Sequence, residues 1–429
     1  MYSVKKENGF VMYNDAEESR NFKIPESNFM GLYTAGNPKA MLPEQIEKAV
    51  VFPFNGGERL SDIVKKKKAS TASVIISDAT RGVPTAKVAP FVVKELIDGG
   101  IDIKNIIFVV ALGVHRNAEE EEMKEFLGEL YGKVRIENHD AFSEDKLVYL
   151  GDTSRKTPVK VNKTVYGSDI KVTIGKVELH DMAGFSGGRK SILPGVCAEE
   201  TIVINHRPEK MIDPNSRAGN LENNPIHEDM LETARMCGVD YSVNIVMNMD
   251  YEIAGIFSGD LDLSHRAAAE FLKKYCNVEL PKKPDVFVVC PGKPLSIDMY
   301  QGVKAIIAFH KITDSNTTVI LYGSFEEGIN SKDFYEPFKK YKDLDELKKF
   351  VWENYEIQMD HIIPIMEMLK KKTKIVVITE NVLKEEIEDM GMKKAESLQT
   401  AVDEALGGEK EKLVAICPQS YRCIFSIKK

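Results

Sequence analysis

The chain is short of the features that mark several large functional classes. Its six cysteines (Cys197, Cys237, Cys276, Cys290, Cys417 and Cys423) form no C-x-x-C pair. Neither a thiolate zinc site nor a disulfide framework is therefore indicated. No apolar run approaches the length of a membrane span, and the N-terminal residues lack the apolar core of a signal peptide. These absences predict a cytoplasmic, reduced chain with no membrane partner. Net positive charge is also absent: the net charge of −8 leaves nothing to balance a polyphosphate, which argues against nucleic-acid binding. The longest basic run, Lys65 to Lys68, contains no aromatic residue and reads as a solvated helix end or loop. No tandem repeat recurs at a fixed period.

What is present is ordinary in proportion and regular in pattern. At 429 residues with 43% hydrophobic and 29% charged residues, the chain is long enough for two cores. Residues 1–70, broken by Pro25, Pro38, Pro43 and Pro53, read as a cap over a first sheet. From Ser73 the pattern alternates short buried strands with helices: Val74–Ile76, a helix over 85–98 closed by Gly99 and Gly100, Asn105–Leu112, an acidic-first helix from Glu119, and a strand from Val134. That is the sequence of an α/β protein with a mostly parallel sheet. A hairpin is predicted over 157–176, turning at Gly167 and Ser168. Pro281–Pro284 reads as a linker, after which strands at Val286–Cys290, Thr318–Tyr322 and Lys374–Ile378 alternate with helices, one of them over 300–309. The expected architecture is two domains with Rossmann-like, mostly parallel sheets. Residues 1–280 form the first, completed by 408–429, and residues 284–407 form a smaller second domain.

Chemistry-bearing residues concentrate between Glu178 and Pro208. His180, the glycine loop Gly184-Phe-Ser-Gly-Gly188, Lys190 and His206 fall within 27 positions of one another, and no folding need predicts that grouping. Glycines allow backbone N–H groups to approach an anion. A lysine amine is a point charge or, deprotonated, an attachment site. Imidazole moves a proton near neutral pH or ligates a metal. The loop is not a P-loop, because Arg189 stands where that motif requires glycine before the lysine. Asp78, Arg81 and His115 follow buried strands, at the edge where α/β folds bind ligands. Asp78 with Arg81 is readable as a local ion pair, or Arg81 as a carboxylate grip. His115 reads equally as a cap or as a catalytic base. Gln301 and Lys304, three apart after Tyr300, share one helical face. His139, His227, His265, His310 and His361 have no companions in sequence and read as structural or surface residues. His115, His180 and His206 together also admit a three-histidine zinc site of hydrolytic type.

Taken in order, Ser77-Asp-Ala-Thr-Arg81, Gly113-Val-His-Arg116, His180-x-x-Ala-Gly-Phe-Ser-Gly-Gly-x-Lys190, Pro194-Gly195, Asn205-His206 and Tyr300-Gln301 with Lys304 resemble the nickel-pincer-nucleotide lactate racemase family. Leu179 departs from the family's proline. The resemblance implies a racemase or epimerase of small 2-hydroxy acids (lactate, malate, a longer 2-hydroxy acid, or a sugar acid such as gluconate), with its active site in an interdomain cleft. It implies a pyridinium-3-thioamide-5-thiocarboxylic acid mononucleotide carrying nickel, attached covalently at Lys190, with His206 as nickel ligand and Asp78, Ser186, Gly187 and Gly188 beside the cofactor. His115 and His180 would be the acid/base pair, and Arg81, Lys304, Gln301 and Tyr300 would bind substrate. Cofactor-synthesis enzymes are implied partners; no oligomeric state is. A homologue that binds the cofactor without turnover is the reading from a different class.

Overall fold

The computed structural model describes residues 2–428. The chain divides into two compact units, Gly36–Tyr275 and Met1–Ala35 with Cys276–Lys429.

Gly36–Tyr275 is built on a six-stranded sheet. In spatial order its strands are Ile253–Gly259, Tyr241–Met247, Ile170–Lys176, Ala72–Ser77, Ile106–Ala111 and Arg135–Asn138. All neighbours are parallel except the first two. Side chains alternate across a strand, and the two faces are distinct. Val74 and Ile76, Phe108 and Val110, Val172 and Ile174, and Val243 and Ile245 belong to one apolar core, with Val50, Leu60, Val64, Val92, Val93 and Leu96 from the covering helices. The alternate positions include the small or polar residues Ser73, Thr173, Gly175, Ser242 and Asn244, all buried. The short turn Gly188–Ser191 rests on these strands. One sheet face thus holds the unit together and the other carries the candidate site.

The second unit is organised around six parallel strands in the order Lys393–Lys394, Lys374–Ile378, Thr318–Tyr322, Val286–Cys290, Val414–Pro418 and Phe29–Leu32. The three antiparallel strands Tyr2–Glu7, Phe10–Asp15 and Arg20–Pro25 pack Val11, Tyr13, Phe22 and Ile24 against Val286, Val288, Ile320 and Val414. Tyr13 and Tyr322 share a hydroxyl hydrogen bond of 2.8 Å, and Tyr322 donates to buried Asp15 at 3.0 Å. Among the described residues no helix is long and apolar enough to cross a membrane.

Mixed α/β units with mainly parallel sheets agree with the expected fold class, but the divisions move. Residues 2–35 belong to the second unit and pack on its sheet. The segment 408–429 does not complete the first domain, because Val414–Pro418 lies between Val286–Cys290 and Phe29–Leu32. Pro281–Pro284 joins two strands of one unit. The hairpin at 157–176 is replaced by a short helix, Lys163–Gly167, capped by Asn162, leading into a central strand buried on both faces. Lys171 on that strand is buried with its amine donating to the Ser168 carbonyl at 2.7 Å, so its charge is a poor guide to a solvent face. The helix expected over 300–309 is two single turns, Met299–Gly302 and Lys304–Ile307.

Because Phe22 is buried under the second sheet, Phe22→Ala is expected to destabilise the chain by about 3–5 kcal/mol. Hydrogen exchange should quicken in Val286–Cys290 and Thr318–Tyr322 and stay unchanged in Ile106–Ala111.

Candidate active site

Asp78 follows the Ala72–Ser77 strand and caps the short turn after it. Its Oδ1 accepts from the Thr80 N–H at 2.8 Å and from the Thr80 hydroxyl. Its Oδ2 lies 3.0 Å from Nδ1 of His115, which follows the neighbouring Ile106–Ala111 strand. Burial pushes the Asp78 carboxyl up, but the His115 hydrogen bond, the charge of Arg81 and the Thr80 bond outweigh it and hold the group down to about 2. An ionised Asp78 accepts the Nδ1 proton, so Nε2 carries the lone pair of His115. Asp78 therefore orients a histidine, a partner that residue spacing does not suggest. Arg81 is exposed and acts on Asp78 only through its charge.

His180 ends one strand of a two-residue hairpin, Leu179–His180 with Gly184–Phe185. Its Nε2 is 2.6 Å from the Lys190 amine and its Nδ1 is 3.0 Å from Asp181. Nδ1 also accepts from the Ala183 N–H at 3.3 Å. The hairpin turns tightly: Gly184 has φ +79°, and a Cβ there would lie 2.1 Å from the Asn220 carbonyl oxygen. Gly187, at φ +86°, is pressed so that a Cβ would meet Val177 at 2.5 Å. These two glycines serve close packing of the loop on its own protein. Ser186 is likewise engaged: its hydroxyl donates to the Lys176 carbonyl at 2.7 Å and accepts from the Glu178 N–H at 2.8 Å.

His206 caps the C-terminus of the Glu199–Asn205 helix. Its Nδ1 donates to the Ile202 carbonyl at 3.0 Å, so Nε2 presents a lone pair, the arrangement of a ligating histidine. Burial and the neighbouring charges of Lys190 and His180 push its protonation down to about 3. The residue is neutral at physiological pH and chemically suited to bind a metal. Asn205 before it donates at 2.9 Å to Asp229, a buried carboxylate that also accepts from Lys210 at 2.6 Å. Among the described residues, His115, His180 and His206 do not converge as a three-ligand cluster.

In the other unit, the Lys304 amine donates to Gln301 Oε1 at 2.7 Å, as their spacing predicts. Asp298 caps the turn by accepting from the Gln301 N–H at 2.6 Å. The Tyr300 hydroxyl donates to Asp360 at 3.1 Å, and His361 Nδ1 donates to the Tyr300 carbonyl at 2.9 Å. His361 is thus a buried support for Tyr300, a pairing that about sixty residues of separation hide from the sequence.

Comparison with known proteins places this geometry. Residues 15–219 match the lactate racemase N-terminal domain, and residues 281–422 match the lactate racemase C-terminal domain. The chain belongs to the lactate racemase family. It is an isomerase of the racemase type. It is 29% identical over 392 residues to the lactate racemase of Thermoanaerobacterium thermosaccharolyticum, covering 89% of this chain and 90% of that one. It is 29% identical over 373 residues to the lactate racemase of Lactiplantibacillus plantarum, covering 85% and 86%. The apoprotein structure of the Thermoanaerobacterium thermosaccharolyticum lactate racemase superposes with a TM-score of 0.87 at 26% identity, over 95% of this chain and 97% of that one. A Thermotoga maritima protein, 16% identical with a TM-score of 0.68 over 92% of this chain and 100% of that one, shares the fold.

The depressed Asp78 carboxyl makes a signed prediction. Its stabilising contribution is fully present above the ordinary carboxylate range and is lost as pH falls through about 2. Asp78→Asn should therefore cost about 2 kcal/mol at neutral pH. In denaturant titrations the gap to the unsubstituted protein should close steadily below about pH 4.

Proposed function

We propose that this racemase interconverts the two hands of a small 2-hydroxy acid, with lactate as the first substrate to test. Malate, longer 2-hydroxy acids and sugar acids such as gluconate are the further members of the class. We infer a nickel-pincer nucleotide joined to Lys190, with His206 Nε2 on the nickel and Ser186, Gly187 and Gly188 alongside. The observation that carries this reading is the grouping of Lys190, hydrogen-bonded to His180, with a tautomer-fixed neutral His206 whose protonation both residues suppress. A neutral imidazole donor suits nickel. When bound, the group supplies an acceptor and return donor for the α-hydrogen, moved as hydride.

The chain's own residues do the rest. His115 Nε2, backed by ionised Asp78, takes the proton of the 2-hydroxyl as the 2-keto acid forms. The planar keto acid turns, and His180 gives a proton to the oxygen as the other hand forms. The pair exchanges roles for the opposite enantiomer. Converting the Lys190 amine to a thioamide removes the ammonium beside His180 Nε2, leaving that nitrogen to serve the substrate. Arg81, Lys304, Gln301 and Tyr300 are the proposed carboxylate and hydroxyl partners, with Arg81 suited to a bidentate grip. Fixing the carboxylate while the carbonyl swings keeps the reacting carbon in place. The zinc-hydrolase reading loses support from the separate engagements of the three histidines. The non-catalytic reading loses support from the retention of both histidines with their own carboxylates.

The deciding experiment is intact-protein mass with elemental analysis after expression alongside the cofactor-synthesis enzymes. An adduct mapped to Lys190 and nickel near one per chain is expected. An unmodified, nickel-free chain, with a working positive control, overturns the assignment. His115→Ala and His180→Ala should each keep nickel and lose interconversion by about 100-fold or more. Normal racemisation by either refutes the two-base scheme. Lys304→Ala should raise KM more than it lowers kcat.

A further inference from the structure

One charged side chain beside Lys190 has no part in the chemistry above. Arg189 is fully buried. Its Nε donates to His227 Nδ1 at 2.8 Å and its Nη1 to His265 Nε2 at 2.7 Å. Its Nη2 donates to the carbonyls of Ala183 at 3.0 Å and Phe185 at 2.8 Å, and Nη1 also reaches those of Ser186 and Gly187 at 3.4 Å. Among the described residues no carboxylate bonds it. A guanidinium carries five donors and no acceptor, so His227 Nδ1 meets it with a lone pair. His265 Nε2 lies between the guanidinium and the Ser186 carbonyl, 2.8 Å from the latter. His227 Nε2 and His265 Nδ1 are buried without a hydrogen-bond partner.

That is an expensive arrangement for a loop that needs only to stay folded. A buried cation with no carboxylate bonded to it, and two buried polar atoms left unmatched, each cost free energy. A hydrophobic residue packed in the same space would avoid both costs. What the guanidinium does that a hydrophobic residue would not is tie four carbonyls to one rigid plane. Two of them, 183 and 185, belong to the hairpin that carries His180. The other two, 186 and 187, lead directly to Lys190. The planar fork thus sets the two ends of the Lys190–His180 contact relative to each other.

We propose that Arg189, seated on His227 and His265, is a positioning residue that fixes Lys190 and His180 in register for cofactor attachment and for proton transfer. The proposal rests on the tether reading of Lys190 given above. Neither histidine touches the proposed reacting groups. His227 acts through Arg189, and His265 acts through Arg189 and through its own contact with the Ser186 carbonyl.

Three variants test it: Arg189→Lys, which keeps the charge but has too few donors; His265→Leu, which removes an acceptor; and His265→Gln, whose amide oxygen can still accept. Each is expressed with the cofactor-synthesis enzymes and checked for cooperative unfolding. Adduct fraction at Lys190 is read by intact mass, and kcat and KM are normalised to adduct. Hydrogen exchange over 183–190 is compared in cofactor-free protein. Arg189→Lys and His265→Leu should load at least fivefold less and exchange faster over 183–190. Their kcat per adduct should fall at least tenfold, with KM within twofold of the unsubstituted value. His265→Gln should recover most of each loss. Normal loading and normal kcat per adduct in folded Arg189→Lys overturn the proposal, as does a His265→Gln variant no better than His265→Leu. Should Arg189→Lys fail to fold, the two His265 variants decide by themselves. An unsubstituted protein with no adduct overturns the tether reading instead. The exchange comparison then decides whether Arg189 anchors the loop: faster exchange in the variants upholds the anchor, and unchanged exchange overturns it.

Discussion

The approach of the glycine loop to its sheet is the constraint on which the site depends. Gly175 on the central strand faces Gly187 so closely that a Cβ on Gly175 would lie 3.3 Å from the Gly187 Cα. Asn244 on the next strand comes within 3.1 Å of where a Gly187 side chain would start. Such contact is possible only because that sheet face carries small and polar residues, while the opposite face holds the apolar core. The division follows from the two-residue period of a strand. Large apolar side chains at Thr173, Ser242 or Asn244 would lift the loop, and with it His180 and Lys190, away from the scaffold.

Within that frame the three histidines are given different characters by their second nitrogens. An ionised carboxylate holds His115, an ammonium and a carboxylate flank His180, and a backbone carbonyl holds His206. A carbonyl partner in a buried setting keeps His206 neutral and ligand-like. Carboxylate partners favour residues that must carry a positive charge for part of a cycle. In the proposed function one residue type thereby covers ligation and proton transfer, and the difference lies in what each ring touches.

The alternation of buried strands and helices makes the α/β character legible, because near-continuous apolar runs of that length are what parallel strands covered on both faces require. Proximity in sequence also makes legible the residues around His180 and Lys190, which meet within one hairpin and its following turn. Pairings across 37 residues (Asp78 with His115), 38 (Arg189 with His227) and 76 (Arg189 with His265) leave no local trace. His227 and His265 read as companionless for that reason. The glycines are plain in the sequence but their purpose is not: a positive φ and a close approach look the same whether the neighbour is a ligand or the protein itself. Residues 1–35 lie beside the first sheet along the chain, whereas their apolar positions match a sheet whose other strands begin at Val286.

That last feature bears on how the protein is made. Phe29–Leu32 pairs with Val414–Pro418, so the earlier strand is synthesised long before the neighbour it pairs with. The segment Gly36–Tyr275 holds all its own strand partners and can close while the rest is still being translated. The opening strands, with Val11, Tyr13, Phe22 and Ile24 uncovered, must wait through that whole interval. Their exposed charged residues (Lys5, Lys6, Glu7 and Lys23 among them) give a nascent segment that stays hydrated and resists pairing with other chains during the delay.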